Sequence, residues 1–208
     1  MHAYILMVPI MKESKFVNEA LSKGAILGLV MLVSNIFEQY ILLYKGTLGW
    51  MGLLGIEMLI AACLYVVLVY IFTKHYSHLV LAEQTEVKYF SYGAGLGYAV
   101  TISVLCGVIV ALGSYLVRHC VIGYETYTTN IINTYRNLLS ASSVPASMSG
   151  VYQQMFAQLQ SQPEPSLWAS LLSGIANYFI SGTVVGLIVA GLVKHKPDLF
   201  NDKANDAE

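Results

Sequence analysis

The chain has 208 residues, of which 56% are hydrophobic and 11% charged, against roughly 25% charged in an ordinary soluble domain. Twelve acidic and eleven basic side chains leave a net charge of −1, so there is no basic surplus to hold a phosphate backbone and nucleic acid is excluded as an expected partner. The composition is that of a membrane protein, whose first partner is the lipid bilayer.

Residues 1–10 are apolar but carry no preceding basic region and no small-residue cleavage site, so they do not read as a signal peptide. Met11-Lys-Glu-Ser-Lys15 has the look of an ordinary bacterial start. The expectation is that residues 1–10 are a dispensable extension and that the first membrane helix serves as an uncleaved signal.

A helix needs about 20 predominantly apolar residues to cross the hydrocarbon layer, because every backbone amide must be satisfied within the segment. Four stretches qualify: 24–44, 48–72, 92–117 and 167–193. The fold class expected is all-α, an integral membrane four-helix bundle. Residues 1–196 form one membrane domain, and 197–208 form a polar cytoplasmic tail. Eight of the eleven basic residues (Lys12, Lys15, Lys23, Lys74, Lys88, Lys194, Lys196, Lys203) fall on the side of both termini, and Lys45, Arg118 and Arg136 fall on the other. Positive charge accumulates on the cytoplasmic side, so both termini are expected there, in a bacterial inner membrane.

The first two spans are joined by Lys45-Gly-Thr-Leu-Gly49, a turn so short that they must be antiparallel neighbours. Each carries a carboxylate among apolar residues, Glu38 and Glu57. Counted back from the turn at 1.5 Å per residue, both lie roughly 10 Å below it. An intramembrane carboxylate costs about 2.5–3.5 kcal/mol on insertion scales, so it is expected to face the interior beside a polar partner. Asn35 lies one turn from Glu38, Gln39 beside it, Asn177 enters the last span from the same side, and Arg118 stands at the outer end of the third. These six residues are the candidates for a ligand or ion site. One reading makes them a hydrogen-bonded cluster that holds helices together; the other makes them a wet cleft for a proton, cation or small solute.

The inner connection 73–91, with His75, His78, Glu83, Glu86 and Lys88, is polar enough for headgroups or cytoplasm. The outer connection, 118–166, is far longer than the roughly 2–8 residues usual between bundled helices. Within it Ile131, Ile132, Tyr135, Leu138 and Leu139 recur on one helical face, as do Tyr152, Met155, Phe156 and Leu159. Residues 140–147 are small, Ser147 suits an N-cap, and Pro163-Glu-Pro165 stops the second helix. An amphipathic helical hairpin is therefore expected outside the membrane. It either covers the bundle or presents Ile132, Tyr135, Leu139, Tyr152 and Phe156 to a partner.

Gly24 and Gly28 in the first span, and Gly182 and Gly186 in the last, are small-xxx-small pairs that allow close helix approach. They read as internal packing before homodimer contacts.

The order of features, with Tyr89-Phe-Ser-Tyr-Gly-Ala-Gly-Leu-Gly-Tyr98 leading into the third span and Lys194-His-Lys196 closing a glycine-rich fourth, resembles the bacterial membrane family catalogued as domain of unknown function 4199. The resemblance covers about residues 18–196, and Phe90-Ser-Tyr-Gly93 is its most specific piece. Where that family commonly has an aspartate-proline after the third span, Val121-Ile-Gly-Tyr124 stands here. The resemblance implies the topology and an inner-membrane location and carries no reaction.

No catalytic, metal or cofactor signature is expected. His75 and His78 lack a third ligand, and His119 beside Cys120 reads as an interfacial anchor. Cys63 and Cys106 read as small core residues, and three cysteines make no disulfide framework. Two functions remain. The first is a non-enzymatic accessory or scaffold protein that binds another envelope protein or a second copy of itself; the second is a small transporter or ion-coupled carrier using the outer polar patch. Neither inverted repeats nor long broken helices are evident, which weighs against the carrier.

Overall fold

The computed structural model describes residues 2–45, 47–84, 89–141 and 149–195, with side chains from residue 15 onward except at 48, 141 and 149. The described residues form six α-helices: α1 (His2–Tyr44), α2 (Leu48–Ala82), α3 (Tyr92–Leu116), α4 (Tyr124–Ala141), α5 (Ser149–Ser161) and α6 (Leu167–Val193). A π-helical stretch, Val117–Ile122, lies between α3 and α4. The described residues contain no strand; Phe90 and His195 form a single isolated bridge, each amide donating to the other's carbonyl.

Four helices are long and apolar enough to cross a membrane, over Lys15–Tyr44, Gly49–Ala82, Tyr92–Ile122 and Leu167–Val193. The chain is thus an all-α multi-pass membrane protein. Three spans run longer than the sequence suggests: the first starts at Lys15, the second ends at Ala82 and the third runs to Ile122. Residues 73–82, read as part of a polar connection, continue α2: they contain neither Gly nor Pro, and Thr73 and Ser77 turn their hydroxyls onto the carbonyls of Val69 and Lys74. The expected cap Ser147 and the tail 197–208 lie outside the described residues.

Contacts cluster into two units. The first comprises Met1–Gly28, Tyr65–Gly107 and Ile175–Glu208. Its core is the first half of α3, where Tyr98, Ala99, Ile102, Ser103 and Cys106 are wholly buried. Close approach is what the glycines supply. A Cβ on Gly24 would stand 2.7 Å from the Cβ of Leu105, one on Gly186 would stand 3.0 Å from Leu96, and one on Gly182 would collide with Ser103. All four glycines of the small-residue pairs are buried, and three of them have these partners within the chain. Ser103 Oγ, facing Gly182, accepts from the Tyr65 hydroxyl at 2.8 Å and donates to Ala99 O at 2.7 Å. Cys106 is buried here as expected, whereas Cys63 is exposed on α2.

The second unit comprises Leu29–Leu64 and Val108–Gly174. Ile41, Leu43, Leu54, Val110 and Ala111 are its buried apolar core, joined by Ile132 from α4 and Phe156 from α5. The buried Thr134 on α4 donates to Leu42 O at 2.8 Å, tying α4 to the end of α1. α4 and α5 touch where the Arg136 guanidinium lies 5.5 Å over the Phe156 ring.

Candidate functional site

The polar residues of the second unit meet where α1, α2 and the end of α3 come together. Ser34 sits one helical turn before Glu38, and its hydroxyl donates across to the Glu57 carboxylate on α2. Asn35 is the hub. Its Oδ1 accepts from Gln39 Nε2 at 2.6 Å and from Ser114 Oγ, on α3, at 2.6 Å, and its side chain lies near Glu38. A carboxamide oxygen suits this place because its two lone pairs accept both bonds at once. Glu38 and Glu57 are both partly buried, and the Glu38 carboxylate feels the like charge of Glu57 and the opposite charge of Arg118.

Arg118 is positioned by the π-helical stretch. A π turn inserts an extra residue and rotates the helix beyond it, and such turns are frequent at functional sites. This one ends at Gly123, whose φ of +85° lies in the region that favours glycine, and the chain then enters α4 with Tyr127 N donating to Gly123 O at 2.9 Å. The Arg118 guanidinium lies 5.1 Å over the Tyr127 ring. Burial pushes the Tyr127 phenol above its ordinary range, with Arg118 opposing and Glu38 adding to the rise.

Next to Arg118, His119 is stacked between Tyr115 at 3.8 Å and Tyr124 at 5.4 Å. Its Nδ1 donates to Tyr115 O at 2.8 Å, since a carbonyl can only accept, and its Nε2 lies 3.0 Å from a Glu164 oxygen without hydrogen-bond alignment. His119 is therefore held inside the second unit.

The model of the family described as "Protein of unknown function (DUF4199)" matches residues 23–195. The chain belongs to this family. No curated protein and no solved structure matches it. The DUF4199 region takes in the whole polar cluster and nearly all of the four apolar spans.

Within this DUF4199 chain the sequence candidates divide. The structure brings together Glu38, Glu57, Asn35, Gln39 and Arg118. Asn177 is exposed on α6 and belongs to the other unit. Ser34 and Ser114 complete the cluster unannounced, because a hydroxyl in an apolar helix carries no hydropathy signal, and Tyr127 of α4 joins them through Arg118. Of the partner-surface candidates, Ile132 and Phe156 are buried within the chain, Leu139 and Tyr152 are half-buried, and Tyr135 is exposed. His75 and His78 are exposed on α2, and among the described residues no three His, Cys, Asp or Glu side chains gather as a metal site would need.

Two groups in the cluster stand out. Gln39 is 3% exposed, yet its Oε1 has no hydrogen-bond partner among the described residues, and the same holds for the buried Nε of Arg118. Counted as formal charges, the two carboxylates of the cluster outnumber its one guanidinium by one. It can knit three helices, and it leaves Gln39 Oε1 and Arg118 Nε with unused bonding capacity.

Proposed function

We propose that the chain is a non-enzymatic accessory or scaffold protein of the bacterial inner membrane, with both termini cytoplasmic, that binds another envelope protein or a second copy of itself. The observation that carries this reading is the outward face of the helices that lie outside the four spans. Tyr135, Val151 and Met155 are 42%, 61% and 40% exposed, while Ile132 and Phe156 of the same helices point inward. Apolar side chains on both sides of a short extramembrane helix suit a surface that is covered in the assembled state. The polar cluster supports the same reading, because most of its donors and acceptors are used on one another. The orientation rests on the eight-to-three division of basic residues.

A second reading, a small carrier for a proton or cation, is favoured by the unpartnered Gln39 Oε1 and the extra carboxylate of the cluster beside it. Purification at native level in mild detergent, followed by mass spectrometry of what accompanies the chain, separates the two. The scaffold reading expects a protein partner or a second copy at fixed stoichiometry. A lone chain with a tightly held ion would overturn it in favour of the carrier. Reporters fused after Lys203 and between α4 and α5 test the orientation: the first should be active only in the cytoplasm, the second only outside it, and the reverse would overturn it.

A further inference from the structure

His119 and Glu164 form a contact that neither the scaffold nor the carrier reading uses. The connector 162–166 between α5 and α6 is neither helix nor strand, and Pro163 and Pro165, on either side of Glu164, have no N–H with which to anchor it. Glu164 reaches instead to the end of the third span, where its Oε1 stands 3.0 Å from His119 Nε2. The two side chains differ in exposure, 8% for His119 and 57% for Glu164. Both belong to the second unit.

The chemistry of this contact turns on one proton. With Nδ1 committed as donor to Tyr115 O at 2.8 Å, a neutral His119 ring presents a lone pair at Nε2. A lone pair and a carboxylate oxygen repel. A second proton can enter only at Nε2, and there it turns the ring into a cation that faces the carboxylate. Because the pair lies at ion-pair distance without hydrogen-bond alignment, its attraction is mainly that of charge for charge, and it comes and goes with that proton. Stacking between Tyr115 and Tyr124 holds the ring in place in either form. Of the other titratable groups around it, Arg118 and Cys120 flank His119 in the chain, and Arg118 acts on Tyr127 and Glu38. Glu125 lines a groove together with Tyr124 and Glu164. Neither α5 nor α6, which the connector joins, contains a charged residue.

Histidine changes charge between about pH 5 and 8, and the exposed Glu164 keeps the pair in touch with water for proton exchange. We infer that His119 and Glu164 form a pH-dependent latch, which holds the connector between α5 and α6 against the end of α3 in acid and releases it as pH rises. The connector leads out of α5, whose Val151 and Met155 are part of the outward face described above. A consequence for docking rests on the scaffold reading; the latch itself does not.

A nitroxide spin label on Gln162→Cys, an exposed position two residues before Glu164, reports the motion of the connector in the full chain in detergent, with Cys63→Ser and Cys120→Ser replacing the exposed thiols. The ratio of held to freely moving label should be about fivefold higher at about pH 5 than at about pH 8, the upper end for an ion pair with an exposed partner. Glu164→Gln keeps the shape and removes the charge, and should give one ratio at both pH values, as should His119→Gln. An unchanged ratio across pH with both residues intact, a label freer in acid, or a pH dependence undiminished by Glu164→Gln overturns the latch. Should His119→Gln fail to fold, Glu164→Gln decides alone, because an exposed side chain can be exchanged with little effect on the core. The measurement needs no partner and no orientation in the membrane, so its failure leaves the proposed function standing.

Discussion

Ser34 on α1 donates its hydroxyl to the carboxylate of Glu57 on α2, joining the two helices through a residue pair that hydropathy alone places in lipid. One turn along, Asn35 joins α1 to Ser114 of α3 at 2.6 Å. In a bilayer neighbouring helices gain little from apolar contact, because lipid tails are as apolar as leucine, so interhelical hydrogen bonds and close packing carry the specificity.

Asn35 is the residue on which most of these bonds depend. Asn35→Ala would leave Gln39 and Ser114 each short of a partner, at an expected cost of about 1–3 kcal/mol per buried group left unsatisfied. The variant should melt well below the wild type in detergent, and Ser114→Ala, which removes one donor from a hub that keeps its other bonds, should lose about 1 kcal/mol or less. Equal loss in both would show that Asn35 is no hub.

Gly182 tests the packing of the first unit. A methyl there collides with Ser103, the residue that Tyr65 bonds, whereas one on Gly191 meets nothing within 4 Å. Gly182→Ala should cost about 1–3 kcal/mol by overpacking, and Gly191→Ala should be neutral or mildly stabilising. Chemical unfolding of the two variants side by side reads the difference.

Ile132 and Phe156 are buried, while Asn137 and Gln154 are exposed on the same helices. Ile132→Lys and Phe156→Lys should therefore release α4 and α5 to limited proteolysis, and Asn137→Lys and Gln154→Lys should not. Equal protection in all four would show that α4 and α5 are not packed through this face.

Tyr127 makes stability fall at high pH. Its folded-state value is raised above the ordinary 10.0, so its contribution is complete below about pH 10, where the unfolded phenol is still neutral, and is lost as pH rises through the folded value. Tyr127→Phe should lose less stability than the wild type on passing above pH ~10. A steeper loss in the variant would contradict the burial of the phenol.

The four spans were legible because length and apolarity are one-dimensional properties. A tight turn and a fixed rise per residue point Glu38 and Glu57 to one depth, and Glu38 feels the charge of Glu57. Depth does not fix rotation about the helix axis, which is why Asn177, judged by depth alone, proved to be exposed. The π-helical stretch that positions Arg118 has no sequence signature, and the hydroxyls of Ser34, Ser114 and Thr134 are invisible to periodicity because serine and threonine fit either face of an apolar helix. Ile132 on α4 and Phe156 on α5 each fall on an apolar periodic face, but a periodic face does not say whether the chain itself or a partner covers it.

On the scaffold reading proposed above, the charged groups of the cluster join helices and are not held in readiness for a transported ion. Removing a joining charge destabilises the fold, because its partner is left buried and unpaired; removing one held for activity commonly stabilises it. The most direct measurement is therefore a double-mutant cycle on unfolding free energy in detergent with Glu38→Gln and Arg118→Gln. The account predicts that Glu38→Gln alone is less stable than the wild type and costs distinctly less in the Arg118→Gln background, with a coupling of about 1 kcal/mol or more. A Glu38→Gln variant more stable than the wild type, with no coupling to Arg118, would contradict it.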